Sequence, residues 1–212
     1  MKLLTTLALV LSLGALTAKA DPLEPTRGYF IGCDAEGSPI FCYVNAVGIN
    51  WAIGQDTVAP ELFARLSGLE MLAPVVISGD YVALADSSAD LTLAALDLPT
   101  EEDPFVGNLR AMQGDWKPDG EEAPFSVMIT GTDWLEMMNG DLDSALMLSV
   151  GTACADGVEP GGMAINLYRY GDDPAADACW QLEFIDDKTM ILRDFMGEQG
   201  QVEFTRLPES SY

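Results

Sequence analysis

From Gly114 to Leu207 the chain is cut by turn chemistry into eight short runs of β-patterned residues, and this constrains its fold more than any other feature. The runs are Gly114–Lys117, Phe125–Thr130, Asp133–Met138, Asp143–Val150, Gly162–Tyr170, Ala178–Ile185, Thr189–Met196 and Gln201–Leu207. Between them lie Pro118-Asp119-Gly120, Thr130-Gly131, Asn139-Gly140-Asp141, Gly171-Asp172-Asp173-Pro174, Asp186-Asp187 and Gly197–Gly200, all built from residues that favour turns. A spacing of about 12 residues per run predicts an antiparallel sandwich or barrel.

Alternate residues of a strand point to opposite faces, so parity assigns the interior. One face collects Phe125, Val127 and Ile129, then Leu146, Leu148 and Val150, then Met163, Ile165 and Leu167. It continues through Trp180, Leu182 and Phe184 to Val202 and Phe204. The opposite parity carries Gln181, Glu183, Gln201, Glu203 and Thr205. Eight strands can close into a ring wide enough for packed side chains or one small ligand.

Residues 96–104, Leu-Asp-Leu-Pro-Thr-Glu-Glu-Asp-Pro, break the apolar pattern and place a boundary near residue 102. The part before it, 21–102, reads as a small α+β region. Tyr29–Ile31 and Ile40–Val47 are expected to pair. Pro60 suits the first position of a helix to about Met71, with Leu62, Phe63, Leu66 and Leu69 on one face. Pro74–Ser78 and Tyr81–Ala85 read as a hairpin turning at Gly79-Asp80, and Leu91–Leu98 as a further strand. Trp51 and Tyr81 are expected in the core. After the boundary, Asp103 can cap a short helix that has Pro104 at its first position and presents Phe105, Leu109 and Met112 on one side.

This order, a short helix, then Gly114-Asp115-Trp116, then seven more strands and Arg206 near the end, resembles the lipocalin-like (calycin) barrels. Gly114 and Trp116 look like that family's Gly-x-Trp motif. Arg206 shares the parity of Val202 and Phe204, and matches the terminal Arg that packs across the first-strand Trp and closes the barrel base. A guanidinium lying on an indole face is a sound plug for a barrel end. The resemblance implies an eight-stranded antiparallel barrel over 103–207, with 208–212 as a tail. It also implies an apolar interior in which Trp116, Phe125, Trp180 and Phe184 are the candidate ligand-binding residues. The domain is shorter than a typical lipocalin, and residues 21–102 have no counterpart in the family.

Residues 1–20 read as a cleavable secretory signal: Lys2, an uncharged run from Leu3 to Ala18, and a small-x-small end at Ala18-Lys19-Ala20. The uncharged run is short for a membrane span, and no later stretch is long enough to be one. A leader this short fits a bacterial exported protein, periplasmic or secreted, and soluble after cleavage at about Ala20. Without Lys2 and Lys19 only eight of the ten basic residues remain against 34 acids, a net charge of −26. Such a surface repels nucleic acid and anionic lipid and attracts cations or basic proteins. With 49 % apolar residues the chain can still build a core.

Cys33, Cys42, Cys154 and Cys179 are an even set in an exported chain and read as two disulfides, with three connectivities open. The turn-rich stretch between Cys33 and Cys42 favours that pair and leaves Cys154 with Cys179. In an up-and-down barrel those last two lie at opposite ends, so either the 151–161 loop folds back, the strand order differs, or the pairing is another. The chain has no histidine, which removes His-based triads and most zinc or copper sites. Gly-x-Ser-x-Gly, Walker and dinucleotide fingerprints are absent, and neither Asp141-Leu142-Asp143 nor Asp172-Asp173 has the spacing of a calcium loop. The expectation is a non-enzymatic protein without metal or cofactor, binding a small apolar ligand in the barrel. The competing expectation is an acidic module that binds a basic extracytoplasmic protein, such as a lysozyme-type enzyme.

Overall fold

The structure is a computed structural model and describes residues 20–34, 36–85, 87–120, 124–170, 178–195 and 200–208. The expected leader 1–20 lies outside these except for Ala20, as do the turns at 171–174 and 197–199, Met196, and the tail after Pro208. Among the described residues no helix is long and apolar enough to cross a membrane.

The second half is a closed ring of eight antiparallel strands: β6 (Gly114–Pro118), β7 (Phe125–Thr130), β8 (Asp133–Met138), β9 (Asp141–Gly151), β10 (Met163–Arg169), β11 (Ala178–Ile185), β12 (Thr189–Asp194) and β13 (Gln201–Arg206). Each strand pairs with the next, and β13 returns to β6 with Arg206 opposite Trp116. The interior holds the face that parity assigns, from Val127 and Ile129 through Leu148, Ile165, Trp180 and Leu192 to Phe204. Phe184 departs from it. A bulge after Leu182 makes Glu183 an extra residue, so Phe184 pairs with Ile191 while Ile185 recovers the inward side opposite Met190. Phe184 is therefore 47 % exposed, and Ile185 packs on the core in its place.

One end of the ring is plugged. The helix α2 (Val106–Ala111) lies across it, with Leu109 and the following Met112 fully buried. Asp103 accepts hydrogen bonds from the Phe105 and Val106 backbone N–H groups, 2.9 and 3.0 Å, in the turn that leads into the helix; the N-cap itself is Phe105, so the helix starts two residues after the expected first position, Pro104. Trp116 is fully buried, and its Nε1 donates to the Met112 carbonyl at 2.7 Å. The Arg206 guanidinium sits 4.1 Å from the Trp116 ring centroid. It donates to the carbonyls of Gln113, Ala111 and Asp187 at 2.5, 2.5 and 2.9 Å, which ties β13, α2 and the β11–β12 turn together. Gly114 has φ +118°, and a Cβ there would come 2.8 Å from an Arg206 terminal nitrogen. The glycine of the motif is thus required twice, by its backbone and by the space the guanidinium fills.

Both disulfides form, Cys33–Cys42 and Cys154–Cys179. The second is reached because the segment after β9 folds back over the outside of the barrel. Asn166 points outward from β10 and holds that segment, accepting from the Ala155 N–H at 2.9 Å and donating to the Ala153 carbonyl at 3.1 Å. Cys154, Ala164 and Cys179 form a small buried cluster beneath it. This cover explains why β10 is buried on both faces from Met163 to Leu167.

The first part is not the α+β region expected from the sequence. It is a closed mixed barrel of β1 (Asp21–Asp34), β2 (Phe41–Ala46), β3 (Ile49–Gly54), β4 (Pro74–Ala85) and β5 (Ser88–Asp97), in the order β1-β2-β3-β5-β4. The closure includes a parallel β3·β5 pair, and β1 runs antiparallel to both β2 and β4. The helix α1 (Pro60–Ser67) is a cap between β3 and β4, shorter than expected, that buries Phe63 and Leu66. Trp51 lies in the core with its ring edge against Tyr81. The hairpin expected at Gly79-Asp80 does not exist. β4 runs straight through it, and Gly79 sits at an irregularity where a Cβ would fall 2.2 Å from the Thr92 carbonyl oxygen. Here glycine serves close strand approach rather than a turn.

Tyr29 and Leu72 of the first barrel join the core of the second. The Tyr29 hydroxyl donates to Asp103 at 3.0 Å. Tyr170, directly after β10, donates to Asp133 and accepts from Asn50 Nδ2 at 3.5 Å. Burial holds the Tyr29 and Tyr170 phenols well above the usual tyrosine range, reinforced by the acceptor carboxylates, and burial alone raises Tyr168.

Two predictions follow from the plug and the seam. Arg206→Ala should cost about 2–4 kcal/mol in urea unfolding, because three carbonyls lose a charged donor. Gly114→Ala should cost about 1–3 kcal/mol, and the double variant less than the sum, since both act on one contact. For the tyrosines, folded pKa values above the unfolded one mean stability is complete below pH ~10 and falls as pH rises through the folded values. Thermal unfolding between pH 8 and 11.5 should show this decline. Tyr29→Phe with Tyr170→Phe should flatten it, Tyr170 contributing less because it is 38 % exposed.

Candidate functional site

The plug fills only one half of the eight-stranded ring. Toward the other end, marked by Pro118, Phe125, Met138 and Gln201, the interior opens as a cavity of about 740 Å³. That volume lies within the range of small-molecule sites. Its walls are Phe125 and Val127 of β7, Trp134, Glu136 and Met138 of β8, Trp180 of β11, and Gln201 to Phe204 of β13, with Pro118 and Asp119 at the rim.

The tight turn at Gly131-Thr132 sets the register that brings β8 into this wall. It places Ile129 opposite Trp134, Val127 opposite Glu136 and Phe125 opposite Met138. Residues directly opposite in a ladder share a face, so the inward set of β7 forces Trp134, Glu136 and Met138 inward. Trp134 is 3 % exposed, and its ring stands edge-on to Phe204 with centroids 6.2 Å apart. Its Nε1 is buried without a hydrogen-bond partner. Such orphans are uncommon and call for a cause.

Of the four residues expected to bind a ligand, Phe125 and Trp180 line the cavity. Trp116 lies at the sealed end beneath Arg206, so it supports the floor and does not line the opening. Phe184 is on the outer surface. Trp134 and Glu136 were missed because β8, Asp-Trp-Leu-Glu-Met-Met, carries two apolar residues and one acid at each parity, and only pairing with β7 decides its inner side.

The chemistry of the wall is mixed. Aromatic and aliphatic side chains give it an apolar body, and Asp119, Glu136 and Glu203 add carboxylates. The rim acid Asp119 accepts from the Thr205 hydroxyl at 2.8 Å. No Lys or Arg is among the described lining residues. Among the described residues no three His, Cys, Asp or Glu side chains gather into a metal-binding group, and all four cysteines are in disulfides. A shallower groove of about 400 Å³ runs over the outside of the first barrel beside Phe41, Tyr43 and Asn50.

In comparisons with known proteins, no family model matches the chain, and neither a curated protein nor a solved structure matches it significantly.

The bulge sets a clear contrast between two aromatics of one strand. Trp180→Ala should cost about 2–4 kcal/mol in chemical unfolding, at or below the usual cost for a buried large aromatic because it borders an existing cavity. Phe184→Ala should stay within about 0.5 kcal/mol. Equal losses would mean that the strand continues unbulged.

Proposed function

We propose that the C-terminal barrel is a non-enzymatic binding module that holds a small, mainly apolar ligand, and that the protein works outside the cytoplasm. The observation that carries this is the half-filled interior: a barrel sealed at one end and hollow at the other, with Phe125, Trp134, Trp180 and Phe204 around the space. A core packed to native density leaves few voids larger than a water molecule. A hollow of this size beneath a rigid plug is the expected form of a ligand site. The Trp116–Arg206 stack and the Gly114 contact also support kinship in design with the lipocalin-like barrels, which the sequence motif resembles.

The compartment reading rests on the leader-like residues 1–20 and on two disulfides, which persist in oxidising surroundings. The first barrel is a closed five-stranded mixed ring with a helix between β3 and β4. It lends Tyr29 and Leu72 to the core of the second barrel and, among the described residues, no side chain to the cavity wall, so its part in this reading is support.

The neutral fluorescent probe N-phenyl-1-naphthylamine tests the proposal. It should bind saturably at one site and accept excitation energy from tryptophan. Val202→Trp, which fills the hollow from the β13 wall, should weaken binding at least tenfold without lowering the unfolding midpoint. Phe184→Ala, on the outer surface, should leave binding unchanged. An absence of saturable binding, or binding indifferent to Val202→Trp, would remove the cavity as the site.

A further inference from the structure

The hollow of the C-terminal barrel is wide and shallow. Its wall takes two residue steps of β7, from Phe125 to Val127, and three of β13, from Gln201 to Phe204. The β8 wall, Trp134 to Met138, is taller at four steps. At about 3.3 Å per residue and a strand tilt near ~40°, these walls stand roughly 5–10 Å along the barrel axis. Their lowest side chains are nearly closed over: Val127 is 1 %, Trp134 3 % and Phe204 4 % exposed. Toward the plug Ile129, Met112 and Leu109 are fully packed. Among the described residues the wall therefore ends in the floor of a bowl, and no bore runs on to the plug. The apolar surface left open belongs to Phe125 and Val202, both half-buried, and to Met138, with a little of Trp180. Spread over that depth, 740 Å³ gives an opening of at least about 70 Å², several times the cross-section of one polymethylene chain.

We infer that the bowl takes a compact, rigid ring system and discriminates against acyl chains. The inference rests on the binding role proposed above and adds the shape class of the ligand. An extended chain enters such a bowl end-on, fills a fraction of its width, and leaves every methylene above the rim in water. A chain coiled to fill the width gives up rotamer freedom for each bond it fixes. A fused ring brings its breadth already rigid, so it covers the wall without that loss. The Phe125 ring, half-buried on the β7 wall, adds edge and offset contacts that favour a second aromatic ring over a chain.

Displacement of bound N-phenyl-1-naphthylamine from the full chain by neutral alcohols tests this. Along the series from n-butanol to n-dodecanol, affinity should first rise about fourfold per methylene. It should level off near about eight carbons, where an extended chain at ~1.2 Å per bond outruns a bowl ~10 Å deep. Naphthalen-2-ylmethanol and n-undecanol have equal carbon counts, and the naphthyl alcohol should bind at least tenfold more tightly. Phe125→Leu keeps the wall apolar but removes its ring; it should weaken the naphthyl alcohol at least threefold and leave n-octanol within twofold. Affinity still climbing from n-octanol to n-dodecanol, n-undecanol matching the naphthyl alcohol, or equal losses for ring and chain in Phe125→Leu each overturn the ring inference but leave the binding role standing. Failure of the naphthylamine to bind, together with failure of the naphthyl alcohol followed by its own fluorescence, overturns the binding role itself.

Discussion

The guanidinium of Arg206 lying on the indole of Trp116 is the contact on which the C-terminal half depends. It joins the last strand of the ring to the first, the one pairing, among the described strands of the ring, between strands distant in sequence. Its three carbonyl bonds extend that closure to α2 and to the β11–β12 turn. A lysine would offer a point charge and no plane to stack, so it could not answer all three carbonyls and cover the ring. Because the seal sits at one end, the other end need not be filled to keep the barrel closed. That asymmetry leaves room for a cavity in a domain of modest size.

The exterior is strongly acidic, which gives solubility but no selectivity. Selectivity belongs to the hollow, whose wall is mostly aromatic and aliphatic and carries the half-buried Glu136 among them.

The eight strands were legible because most of them alternate and their turns are rich in Gly, Asp and Asn. The sealing pair was legible through Gly114, Trp116 and Arg206. What the sequence hid has physical causes. β1 begins Asp-Pro-Leu-Glu-Pro-Thr-Arg-Gly, with two prolines and three charges, and becomes a strand through pairing with β4 rather than through its own propensity. Gly79-Asp80 carries turn chemistry but is pressed straight because the glycine allows close approach to Thr92. Period-two reasoning failed at Phe184, where one inserted residue reverses every later side chain of the strand. The apparent conflict over Cys154 and Cys179 disappeared because Asn166 anchors a loop against the outer wall. Glu136 was hidden in a strand with two apolar residues and one acid on each side.

The four tryptophans report on the whole account at once. Trp51 and Trp116 donate their indole N–H groups to the carbonyls of Ala46 and Met112, while Trp134 and Trp180 border the hollow. An indole 15N–1H correlation spectrum recorded while a small apolar ligand is added therefore separates cavity from surface. The account predicts that the resonances of Trp134 and Trp180 move together and saturate, with those of Trp51 and Trp116 fixed. Movement of Trp116 with the others unmoved, or of none, would contradict a barrel sealed at one end and open to ligand at the other.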